Sequence, residues 1–164
     1  MKKILIKNKF FYYFYKLLKI QRNKKPSTHY GEFGEDISVN RILKDIKIGK
    51  YVDVGCYHPF KGSLTVQLYK RGWKGINIDL SKSSIDLFNL NKKKDINLNL
   101  AVSDFDGQTN YYENSPINQQ NSLIKDNDSQ KKIKIECRSL NSILEQNKFQ
   151  NFEYLNIDVE GSEE

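Results

Sequence analysis

The sequence predicts an α/β layered fold on three observations. Residues 51–55, 64–71, 75–79, 82–91 and 96–102 read as strand, helix, strand, helix, strand within about fifty residues, and such alternation implies right-handed parallel crossovers. The strand-like runs end in Gly or an acid, as in Asp53-Val54-Gly55 and Ile78-Asp79. Further on, 132–138 sets Ile133, Ile135 and Cys137 against Lys132, Lys134 and Glu136, a two-residue period that reads as an antiparallel excursion with 109–113.

The elements follow in chain order. Residues 1–25 carry nine cations and no acid, so the formal charge of +7 belongs to this arm. The remaining residues hold 18 cations against 20 acids. The arm is one unit, 1–25, and the domain another, 26–164. Residues 10–20 are expected to be helical, with aromatics on nearly every side and scattered lysines. The arm either packs on the domain or makes a peripheral membrane contact, aromatics in the interface and lysines against anionic lipid. Its Tyr-rich, Lys-interrupted apolar stretch is not followed by a small-residue cleavage site, which argues against secretion. Gly34-Glu35-Asp36 opens a helix, with Asp36 favouring its dipole and Gly49 stopping it. Ser81 is the expected N-cap of 82–91, and Ser139 or Asn141 that of 140–146. The polar stretch 114–130 reads as a loop, and 152–159 as a strand of buried type.

Composition excludes several classes. No window of about 18 apolar residues exists, which excludes a membrane-spanning helix. Cys56 and Cys137 fit neither a disulfide framework nor a zinc-finger spacing, so a cytoplasmic compartment and no metal are expected. The slightly acidic body argues against a nucleic-acid partner.

In open parallel sheets, ligands bind outside the carboxyl ends of the strands. Those ends are Asp53 to Gly55, Asp79, Ser103-Asp104, and Asp158 to Gly161. The first turn, Asp53-Val54-Gly55-Cys56-Tyr57-His58-Pro59, lacks the glycines that cradle a pyrophosphate, and its acid repels one. A nicotinamide-dinucleotide enzyme is therefore disfavoured. The same acid attracts an ammonium, and S-adenosylmethionine (SAM) offers an ammonium and a sulfonium without phosphate. A lone Gly lets the cofactor approach the backbone. Asp79 lies 24 residues after Gly55, close to the ~20-residue separation at which an acid reaches ribose hydroxyls. Asp104 is placed to receive the adenine amino group. Asp158 is the leading base or metal-ligand candidate, with Glu160 on the same side of an extended chain. His58 is a second candidate base on the first turn, although a His before Pro59 is more often structural, and Tyr111-Tyr112 read as ordinary strand aromatics in preference to an acceptor pocket.

The blocks GEFGED, YVDVGCYHP, SLT, LYKRGWKGINID and LNIDVEGSE, in this order and spacing from about Tyr30 onward, resemble the FkbM family of SAM-dependent methyltransferases. The resemblance implies a Rossmann-like class I methyltransferase sheet, and methyl transfer to a hydroxyl oxygen of a sugar or natural-product acceptor. Carried over by position, Asp53, Gly55, Cys56 and Tyr57 line the methionine end, Asp79 the ribose, and Ser103 and Asp104 the adenine side. Glu35 and Asp36 match an early block that closes over the cofactor or holds the first strand. Asp158, Glu160 and Glu163 match the late block. The sequence departs from the family where Gly31-Glu32 replace a Ser-Gln pair and Asp79-Leu80 replace Glu-Pro. The family domain also continues with a further helix and three strands. The chain is thus expected to hold strands in the order 3-2-1-4, with an open apolar edge on the fourth, and to be a fragment. The rival reading is a non-catalytic or membrane-peripheral module whose rim acids play no part in chemistry.

Overall fold

The computed structural model describes residues 11–12, 14–18, 28–113, 121–123 and 131–159. A parallel four-stranded sheet carries the site. It is built from β1 (Lys50–Val54), β2 (Lys74–Ile78), β3 (Ile96–Leu98) and β8 (Tyr154–Ile157), in the order β3-β2-β1-β8. The helices α1 (Glu35–Ile42), α2 (Val66–Lys70), α3 (Lys82–Asn91) and α4 (Leu140–Gln146) intervene. A second sheet has the order β4-β7-β5-β6, from β4 (Ala101–Val102), β5 (Gly107–Glu113), β6 (Asn121–Ser122) and β7 (Lys131–Arg138). β5 pairs antiparallel with β6 and β7, whereas β4 and β7 are parallel.

Parallel strands covered on both faces usually read as continuous apolar runs. Here the strands alternate, because the two faces differ in chemistry. One face is apolar: Val52, Val54, Ile76 and Ile78 pack with Leu100, Ile143 and Phe149, so α4 closes that side. The other face carries a polar row across all four strands. Asn156, Asp53, Asn77 and Asn97 are register partners of one another in turn. Tyr51, on the same face as Asp53, packs with Leu68 and Trp73, with Val39 of α1, and with Leu43 and Ile46 just after it. Gly75 makes room for it, since a Cβ there would meet the Tyr51 ring at 2.1 Å.

Local signals account for the helix boundaries. Ser81 accepts a hydrogen bond from Ser84 N and starts α3, and Ser139 does the same for Ser142 N at α4. Other expectations are corrected. α1 ends at Ile42 rather than at Gly49, and Ile37 and Ile42 are exposed. Gly49 is small for packing, because a Cβ would meet the Trp73 ring at 2.9 Å. The stretch 96–102 is two strands in two sheets: Asn99 turns the chain by donating to the carbonyls of Asp79 and Leu80 at 2.9 and 2.8 Å. Within 114–130, expected to be a loop, Asn121–Ser122 form β6. β8 is half-exposed rather than buried, pairing among the described residues only with β1.

The described part of the arm, 11–12 and 14–18, is helical and docks on α3. Tyr12 OH donates to Asp86 Oδ2 at 2.5 Å, and fully buried Lys16 donates to the carbonyl and hydroxyl of Ser83. No described helix is long and apolar enough to cross a membrane.

Candidate functional site

A cavity of about 700 Å³ opens at the carboxyl ends of β1, β2 and β8, a volume within the range of small-molecule and cofactor sites. Of the residues expected to form the site, Glu35, Asp53, Gly55, Cys56, Tyr57, Asp79 and Asp158 all line it. Ser103 and Asp104 do not. They follow β4, in the second sheet, and Asp104 is exposed with Ser103 Oγ donating to it at 3.1 Å. The expectation that they end a strand of the parallel sheet is thereby corrected. Leu80, Leu100 and Val102 form the apolar lining near that position. Glu160 and Glu163 lie outside the described residues.

The first turn is shaped by backbone constraints. Gly55 has φ +76°, and a Cβ there would lie 1.8 Å from the carbonyl oxygen of Asp158. The glycine thus lets β8 close against β1, a role distinct from admitting a cofactor backbone. Gly55 N and Cys56 N both donate to the Ile78 carbonyl, at 2.9 and 3.1 Å. Tyr57 holds a left-handed conformation at φ +52°, uncommon for an aromatic residue and a form of strain that clusters at functional sites. Its N–H donates to Asp79 Oδ2 at 2.8 Å, while Ser81 N donates to Oδ1 at 2.7 Å. Asp79 is therefore a brace between the turns after β1 and β2. His58 is structural, as expected. Its Nδ1 accepts from Phe60 N and Lys61 N at 3.1 and 3.0 Å, which places the neutral ring's proton on Nε2 and leaves no lone pair for a base.

Asp53 is held from both sides. Thr65 Oγ1 donates to Oδ2 at 2.8 Å and Asn156 Nδ2 to Oδ1 at 3.0 Å. Behind Thr65 lies fully buried Lys92, whose Nζ donates to Thr65 Oγ1 at 2.7 Å and to Tyr51 OH at 3.2 Å. Tyr51 OH in turn donates to Asp95, which also accepts from Gly75 N and Asn77. One hydrogen-bonded network thus ties the polar row together, and among the described residues only Asn77 Oδ1 in that row is buried without a partner. Neither Thr65 nor Lys92 was visible as a site residue in the sequence. The SLT block contained the first without a role, and Lys92 opens a lysine run that reads as solvated surface.

The loop before α1 forms the cavity's other wall. Buried Asp36 accepts from Tyr30 N and Gly31 N, both at 3.0 Å, and Glu35 accepts from Phe33 N at 3.0 Å. The Gly-Glu-Asp block therefore folds the chain ahead of it into the lining.

Electrostatically the cavity is acidic. Glu32, Glu35, Asp53, Asp79 and Asp158 line it against Lys61. Burial pushes the Asp79 carboxyl up to about 7, opposed by its two backbone N–H donors and reinforced by Asp53. Burial, with Asp79 and Asp53 adding to it, raises the Cys56 thiol well above its ordinary value, so it stays a neutral wall residue and not a nucleophile. Burial lowers Lys92, and the neighbouring Asp53 and Asp95 oppose that shift. Among the described residues, no group of three or more His, Cys, Asp or Glu is placed to hold a metal ion.

The model of the methyltransferase FkbM domain matches residues 53–164, more than half of the chain. The chain belongs to the FkbM methyltransferase family. Its family match begins at Asp53, the first carboxylate of the cavity, and spans Asp79 and Asp158. The mixed α/β architecture with its parallel sheet is consistent with an α/β methyltransferase fold. Comparison with curated proteins and with solved structures finds no match.

Proposed function

We propose that this FkbM-family methyltransferase transfers a methyl group from SAM to a hydroxyl of a sugar or other small-molecule acceptor. The observation that carries the reading is the donor set of the cavity: five carboxylates against one lysine, with Asp53 and Asp79 on adjacent strand ends. That set suits a ligand with an ammonium, a sulfonium and hydroxyls, and it disfavours a pyrophosphate. Bound there, SAM supplies an electrophilic methyl group on a positively charged sulfur. Asp53, Gly55, Cys56 and Tyr57 are assigned to its amino-acid end. Asp79, which lines the cavity beside them, is assigned to accept from the ribose hydroxyls. Leu80, Leu100 and Val102 suit the flat face of a base.

Asp158 is the residue assigned to take the acceptor hydroxyl's proton. It lines the cavity, is exposed to solvent, and is tied to β1 by its own N–H to the Val54 carbonyl at 3.0 Å. Glu160 is its partner on sequence grounds. Holding the acceptor oxygen and the methyl donor together supplies most of the rate in this kind of displacement, and the base adds a further ~10²–10⁴-fold. The test is to incubate the protein with methyl-labelled SAM and a panel of sugars and other hydroxyl compounds. Label should appear in an ether, and Asp158→Asn should lower turnover by about that base factor without changing SAM affinity. Label transferred only to nitrogen or carbon acceptors would refute the O-methyl reading.

A further inference from the structure

The arm helix is inside out. Its docking side is polar: Tyr12 and Lys16, one turn apart, bond Asp86 and Ser83 of α3. Its opposite side is apolar and faces out. Phe11, Phe14 and Leu18 follow one another at i, i+3 and i+7, with Leu17 beside them. Phe14, Leu17 and Leu18 are 52%, 48% and 49% exposed. An ordinary surface helix does the reverse, turning its apolar stripe to the core and its charges to water. The sequence alone shows aromatics all round the helix; the docking contacts decide which of them face outward.

Charge names what covers the stripe. Residues 1–25 contain nine cations and no acid, and Lys16, the one cation of the arm among the described residues, is committed to Ser83. A second copy of the arm would bring like charges together. A nucleic acid would be read by cations and stacking rings, leaving Leu17 and Leu18 without a partner. An anionic lipid surface satisfies both halves, taking the apolar side chains below its headgroups and the lysines among them. We propose that the face formed by Phe14, Leu17 and Leu18 docks on an anionic membrane surface, and that the Tyr12–Asp86 and Lys16–Ser83 contacts fix the methyltransferase domain's orientation on it. The inference is independent of the cofactor reading.

The experiment is sedimentation of the full chain with vesicles. Wild type should sediment with mixed phosphatidylserine and phosphatidylcholine vesicles, lose this as salt rises, and stay in solution with pure phosphatidylcholine. The double variant Leu17→Ser, Leu18→Ser should bind about tenfold more weakly or worse, with its unfolding midpoint close to wild type because both side chains are already half in water. A Leu17→Phe, Leu18→Phe variant keeps the apolar face and should bind as wild type does. Binding of the Ser variant equal to wild type would overturn the proposal. So would wild type that ignores anionic vesicles, or a Leu17- and Leu18-dependent dimer in place of lipid binding.

Discussion

Asp79 and Lys92 are charged residues that the fold buries, and each can be tested singly. The Asp79 carboxyl is raised to about 7 from 3.8. Between those values the native chain keeps a proton that the unfolded chain has lost. Its contribution to stability is therefore full below about pH 4, declines as pH rises, and is gone above about 7, a change of order 4 kcal/mol at most. Asp79→Asn should flatten that slope in denaturant titrations at several pH values, and an unchanged slope would assign it to other groups. A ligand that donates hydroxyls to Asp79 and carries positive charge favours the ionised form. SAM affinity should then rise as pH increases through about 7. Lys92 is compensated only within its network. Lys92→Met leaves Asp53 and Asp95 facing no cation there and should cost roughly 3–5 kcal/mol in urea unfolding. A loss below about 1 kcal/mol would mean that the carboxyls are protonated instead.

At the scale of elements, the turn between β1 and α2 depends on the close approach of β8. Gly55→Ala would force a Cβ into the Asp158 carbonyl at a left-handed φ. It should destabilise the protein by about 2–5 kcal/mol and displace Asp158 from the cavity. A variant with wild-type stability would contradict the β1–β8 contact. The arm helix and α3 are joined by Tyr12 and Lys16, so deleting residues 1–25 does more than move formal charge from +7 to −2. It uncovers Ser83 and Asp86 and should lower the unfolding free energy by about 1–3 kcal/mol. An unaltered midpoint would mean that the helix docks without energetic consequence.

The elements that sequence reading found are those whose signals are local. Ser81 caps where its position said it would, Ser139 is the cap of the two residues the sequence offered, and Asp53, Gly55 and Asp79 stand at strand ends because strands end where turn residues begin. What escaped was set by tertiary contacts. Asn99 divides one apolar run between two sheets through bonds to Asp79 and Leu80, which moved Ser103 and Asp104 away from the rim. Asn156 and Thr65 reach Asp53 from other elements, and Lys92 reaches it through Thr65. The outward turn of Phe14 and Leu18 follows from two polar contacts that no periodicity reveals.

For the whole molecule, two surfaces bear on behaviour in solution. β8 has Leu155 and Ile157 40% and 45% exposed and pairs on one side only among the described residues. Such an edge invites pairing with another chain. The chain of 164 residues should associate as its concentration rises in sedimentation velocity, and Ile157→Lys should shift it towards monomer. A wild-type chain that is monomeric at every concentration would show that this edge is already protected. The second surface is the acidic cavity assigned to SAM. Calorimetric titration at pH 6 and pH 8 tests that assignment most directly. SAM should bind one-to-one and more tightly at pH 8, Asp79→Asn should weaken it about tenfold or more through loss of a charge-assisted hydrogen bond, and NADH should not bind. NADH binding without SAM binding would contradict the assignment.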